Sequence, residues 1–174
     1  MSTNWRIGSF NAALLAAYFI PTWAMVAYKI IVSPIHGLYE RPNIAVALFV
    51  SDHLQLAGID TVRVAWLLAL GKLTAAAFFA LFLLLTARAS IRKTAGGGEA
   101  LALALVIGSV ISFASMMMAS QVGEMQALRL HATELLMLLG SAIVLLVENP
   151  VPPQIARLNA DDLSFQRSDL LHNR

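Results

Sequence analysis

Four stretches of this chain are almost unbroken in apolar side chains: Asn11 to Ile31, Val64 to Ala87, Ala100 to Ser120 and Leu130 to Val147. Each falls within the roughly 17 to 25 residues of helix that cross a hydrocarbon core about 30 Å thick. The pattern predicts an all-α integral membrane protein, a four-transmembrane-helix bundle. The first stretch is longer than the apolar part of a secretory signal. It also carries Tyr18, Pro21, Trp23, Tyr28 and Lys29 and has no small-residue cleavage site, so it reads as an uncleaved anchor, with a kink expected at Pro21.

The connection between the first two spans is more than a loop. Ser33-Pro34 ends the first helix, and Arg41-Pro42-Asn43 reads as a fresh start with proline near the first helical position. From about residue 42 to 56 the chain is apolar at Ile44, Val46, Leu48, Phe49, Val50, Leu54 and Leu56, and is closed by Ser51, Asp52, His53 and Gln55. About 14 residues cannot cross the bilayer. An amphipathic helix at the outer interface, or one tucked against the bundle mouth, is expected instead. Gly58 is expected to end it, and Asp60 with Arg63 at i, i+3 fits an ion pair at the entrance to the second span. Gly96-Gly97-Gly98 reads as a flexible connector before Glu99. Residues 149–174 turn polar after the fourth span and read as a cytoplasmic C-terminal tail.

Composition agrees with this layout: 59% of the 174 residues are hydrophobic and 13% charged, against the roughly 45 to 50% apolar content of soluble domains. Lysine and arginine set the orientation. With both termini on one side, that side holds Arg6, Arg88, Arg92, Lys93, Arg157, Arg167 and Arg174, and the other holds Lys29, Arg41, Arg63 and Arg129. The excess places the N and C termini in the cytoplasm, in a bacterial inner membrane. No basic stretch is interleaved with aromatics, so nucleic acid is not an expected partner. The chain has no cysteine, which excludes disulfides, thiolate metal sites and ordinary iron–sulfur clusters.

Ionisable residues inside such helices need a reason. Lys72 is the one ammonium of the second span. On the fourth span, a rotation of about 100° per residue puts His131, Glu134, Ser141 and Glu148 on one stripe that must face protein rather than lipid. A Lys72–Glu134 pair is the expected partnership, within a structural polar network that also draws on Glu124, Asp60 and Arg63. Glu148 is expected to find a partner near the cytoplasmic face, such as Arg88. The third span carries Gly108, Ser112, Ser115, Ala119 and Gly123 at intervals of three and four, which suits close helix packing or a docking surface. Met116, Met117 and Met118 point about 100° apart from one another on a helix, so they cannot converge on one copper ion.

Three chemistries compete for the polar cluster. A metal site would use His131 and Glu134 with His53, Asp52 or His36. A haem b would need two facing imidazoles, for which His53 and His131 are the candidates, and a quinone needs only an imidazole and a carboxylate beside an apolar cleft. Proton or ion movement would use Lys72, Glu134, Glu124 and His131 as relay groups, in a small oligomeric channel or transporter. Against all three stands mutual pairing of these groups, with no cofactor. No catalytic constellation is complete. The balance favours a non-catalytic accessory or structural subunit of a larger membrane complex, respiratory or otherwise redox-linked, with other membrane subunits as partners and homo-oligomerisation open. The main alternative is a haem-, quinone- or metal-binding redox protein.

The layout over about residues 10–148, four helices with a half-buried segment after the first and the basic turn Leu85-Thr-Ala-Arg-Ala-Ser-Ile-Arg-Lys93 after the second, resembles the DoxX-like membrane proteins. The resemblance implies a small membrane subunit serving a redox enzyme. The glycines and the ending of that family are absent, and no functional residue is carried across.

Overall fold

A computed structural model describes residues 7–87 and 96–148, and these are helical with short turns between. In chain order the helices are α1 (Ile7–Val32), α2 (Pro34–Leu38), α3 (Ile44–Asp52), α4 (Gly58–Ala87), α5 (Gly96–Val122) and α6 (Met125–Glu148). Four of them, α1, α4, α5 and α6, are long and apolar enough to cross a membrane. The chain divides into two units, residues 1–144 and 145–174. Of the second, the structure describes only residues 145–148. The basic turn, the expected Arg88 partner of Glu148 and the C-terminal tail lie outside the described residues.

Each long helix overruns its apolar stretch. Hydropathy marks what lipid tolerates, whereas a helix runs on until its backbone is capped. Gly58 accordingly opens α4 rather than ending the preceding segment, and Gly96–Gly98 form the first turn of α5 ahead of Glu99. Between α5 and α6 the chain turns in two residues, Gly123 and Glu124. Gly123 has φ +72°, and the N–H of Glu124 returns to the carbonyl of Ala119 at 3.0 Å. That pairing is a Schellman closure, which favours glycine because a Cβ is disfavoured in the left-handed region. Pro21 sits inside α1, where it supplies no N–H. Next to it, the hydroxyl of Thr22 donates to the carbonyl of Tyr18 at 2.6 Å.

The connector between α1 and α4 folds into the bundle. Pro34, not Pro42, stands at the start of a helix, and Asn43 is the N-cap residue of α3. On α3, Ala45, Val46, Ala47 and Val50 are buried. Val46, Ala47 and Val50 pack with Ala27 and Ile30 of α1, Leu38 of α2, and Ala65 and Ala69 of α4. Ala45 packs with Ala119 of α5 and Ala127 of α6. Of the two placements expected for this segment, the one tucked against the bundle describes it.

The turn from α1 into α2 is close-packed. A Cβ on Gly37 would lie 2.7 Å from the Cα and N of Ile30, which are backbone atoms of α1 with no room to yield. Gly37→Ala should therefore lower the stability of the detergent-solubilised protein by about 1 to 3 kcal/mol. Gly140→Ala meets nothing within 4 Å and should be neutral or slightly stabilising. Thermal melting of the two variants beside the parent checks both outcomes.

Candidate functional site: a buried polar cluster

Lys72 lies at the midpoint of α4, a 30-residue helix about 45 Å long. It is 2% exposed. Its Nζ donates to Asn43 Oδ1 at 2.7 Å and lies 5.9 Å from the centre of the Trp23 ring. Asn43 is also buried, and its Nδ2 donates to the carbonyl of Gly37 at 2.9 Å. The asparagine that begins α3 is thereby clamped at both ends of its side chain. One end closes the turn after α2, and the other meets the ammonium of α4.

Glu134, 6% exposed, sits at the other edge of the same indole. Trp23 Nε1 donates to its Oε1 at 3.2 Å, and Ser112 Oγ donates to Oε2 at 3.4 Å. His131 Nδ1 lies 2.9 Å from Oε2, while His131 Nε2 lies 3.1 Å from the carbonyl of Pro42. Three helices thus converge on one carboxyl, and the histidine bridges it to the connector. Among the described residues no buried side-chain nitrogen or oxygen lacks a partner. Such saturation matters because water cannot make good a missing bond in hydrocarbon.

The direct Lys72–Glu134 pair expected from the sequence is replaced by an arrangement with Trp23 between the two groups. The ammonium takes the ring face and the carboxylate takes the ring N–H. An indole serves both because its face is electron-rich and its N–H is a donor. The rest of the fourth-span stripe follows its helical register: His131, Glu134 and Ser141 are buried, and Asn11 Nδ2 donates to Ser141 Oγ at 2.9 Å.

The remaining candidates lie apart from this cluster. Arg63 Nη1 donates to Asp60 Oδ1 at 2.9 Å, with both side chains well exposed. Glu124 precedes α6 and lines a pocket of about 380 Å³ with Arg41, Ile44, Gln126, Ala127 and Leu130. His53 caps the C-terminus of α3, is exposed, and stacks on Phe49 with ring centres 4.9 Å apart. Asp52 accepts from Ser51 Oγ at 2.8 Å and is exposed. Among the described residues no group of three His, Asp or Glu side chains is arranged to hold a metal ion. For a haem or a metal, His131 would first have to give up one of its two present contacts.

Sequence reasoning passed over Trp23, Asn43 and Ser112 as site residues. Trp23 is a mid-span tryptophan, away from the interfacial belt where that residue is usual, and this displacement was the available signal. Asn43 read only as a helix start, and Ser112 as a packing residue with a hydroxyl for an interhelical hydrogen bond whose partner was not named.

Fold and site together define a helical membrane bundle of four spans with a self-contained polar cluster at its centre. No protein-family model matches the chain, and no significant match appears among curated proteins or among solved structures.

The revised partnership is testable by double-mutant cycles on unfolding free energy. Lys72→Met with Asn43→Leu should show a coupling of about 1.5 to 3 kcal/mol, the range for a hydrogen bond to a charged group. Lys72→Met with Glu134→Gln should show a smaller one. The reverse ranking would restore the direct ion pair.

Proposed function

We propose that this chain is a non-catalytic accessory or structural subunit of a larger membrane complex, oriented with both termini in the cytoplasm. One observation carries the reading: the polar groups at the centre of the bundle spend their bonding on one another. Both oxygens of Glu134, both nitrogens of His131 and both ends of the Asn43 amide are engaged within the chain. Those bonds fix the connector against the spans. What the bundle presents outward is apolar helix surface, including Leu67, Leu70, Val106, Val110, Leu136 and Ile143.

Such surfaces suit lipid and neighbouring helices alike. An assembly role asks only that the surface be held in a defined shape, which the clamped connector supplies. The redox-linked setting enters the proposal only through the layout that resembles DoxX-like proteins.

Gentle solubilisation followed by native mass measurement tests the reading. The chain is expected to migrate with partner subunits at a mass well above its own 18.8 kDa, and to carry no cofactor of its own. A chain that emerges alone, or with a stoichiometric chromophore abolished by His131→Ala, overturns it.

A further inference from the structure

Each ring nitrogen of His131 faces an oxygen: Nδ1 faces Glu134 Oε2 at 2.9 Å, and Nε2 faces Pro42 O at 3.1 Å. Turning the ring over would put carbons in place of both nitrogens and forfeit both contacts, so the orientation is fixed by its partners. A carbonyl can only accept, so the nitrogen beside Pro42 carries a hydrogen. The other nitrogen and the carboxyl then need one more hydrogen between them. It sits either on the imidazolium against a carboxylate or on the carboxylic acid against a neutral imidazole. The two residues therefore share one proton whenever both contacts are made.

Removing that proton leaves one N–H for two acceptors. A carboxylate is the stronger acceptor, so the imidazole turns its hydrogen to Glu134. Its Nε2 lone pair then faces the carbonyl lone pairs of Pro42, and that contact becomes repulsive. We propose that His131 and Glu134 form a proton-operated latch on the α2–α3 connector, closed while the shared proton is bound and released when it leaves.

The position of the latch gives it leverage. Pro42 immediately precedes Asn43, the residue on which the connector turns into α3. The 380 Å³ pocket is bracketed by the same elements: Arg41 and Ile44 flank Pro42 and Asn43, and Ala127 and Leu130 lie beside His131 on α6. Loosening Pro42 widens an existing recess towards the buried imidazole.

Other groups face the pair from every packed element. Trp23 and Tyr18 come from α1, Lys72 from α4 and Ser112 from α5, while Arg41 and Glu124 line the recess. The Lys72–Asn43 bond involves neither His131 nor Glu134, so release is expected to loosen the connector rather than expel it. The inference concerns this chain alone and stands whether or not the chain has partners.

Hydrogen–deuterium exchange of the full chain in lipid nanodiscs, compared between variants at each pH so that intrinsic exchange cancels, tests the latch. In Glu134→Gln the amide can donate to Nδ1 of a neutral ring or accept from Nδ1 of a protonated one, so the Nε2 hydrogen stays on Pro42 at every pH. Peptides covering residues 34–52 should be protected equally in parent and Glu134→Gln at low pH. As pH rises, the parent alone should exchange about five- to tenfold faster, in keeping with the loss of one net hydrogen bond. Parallel behaviour of the two across the whole range overturns the proposal. Nitrogen-15 NMR of labelled histidine supplies a readout independent of any variant. Nε2 of the buried ring should pass from protonated to unprotonated as pH rises, and an Nε2 that stays protonated wherever the protein is folded overturns the proposal equally.

Discussion

A carboxyl buried in a membrane bundle has to receive its hydrogen bonds from protein, and meeting that demand for Glu134 organises the whole molecule. Its hydrogen-bond partners come from α1, α5 and α6. The fourth span, α4, joins through Lys72, which lies over the indole that serves the carboxyl and holds the asparagine of the connector. Hydrophobic association adds little between helices already in lipid, so polar contacts and close packing must specify which helices meet. Here a single cluster joins all four spans to α2 and to the turn that opens α3.

Close packing makes the cluster reachable. Gly108, Ser112, Ser115 and Ala119 of α5 are all buried, on the face turned to the bundle. A Cβ on Gly108 would sit 3.3 Å from the Leu138 methyls and 3.6 Å from Trp23. The small-residue stripe is thus spent inside the bundle, where it brings α5 near enough for Ser112 to reach the carboxyl. Phe19 extends the same packing: it meets Trp23 edge-on at 4.9 Å and stacks on Phe79 of α4 at 5.7 Å. The aromatic column fixes the indole whose two polar surfaces the cluster uses.

Much of this was legible along the chain, and the limits are physical. The four spans followed from hydropathy, since lipid imposes the same composition rule on any helix that crosses it. The inward direction of His131, Glu134 and Ser141 followed from the helical period. Partner choice did not follow. Lys72 and Glu134 were the obvious charges to join, yet an indole stands between them and an asparagine 29 positions earlier takes the ammonium. A neutral side chain gives no signal in charge counting, and Asn43 looks from sequence like any helix start. Pro42 was harder still, because its contribution is a backbone carbonyl that every residue possesses.

The sequence by itself determined the environment, the number of spans and the faces that could not meet lipid, because those depend on composition and on a fixed rotation per residue. Only the tertiary structure decided how the connector enters the bundle and which donor meets which acceptor. Those outcomes depend on where separate helices come to lie against one another in space. Hydrogen bonds discriminate at a few tenths of an ångström, a precision that residue type and spacing do not encode.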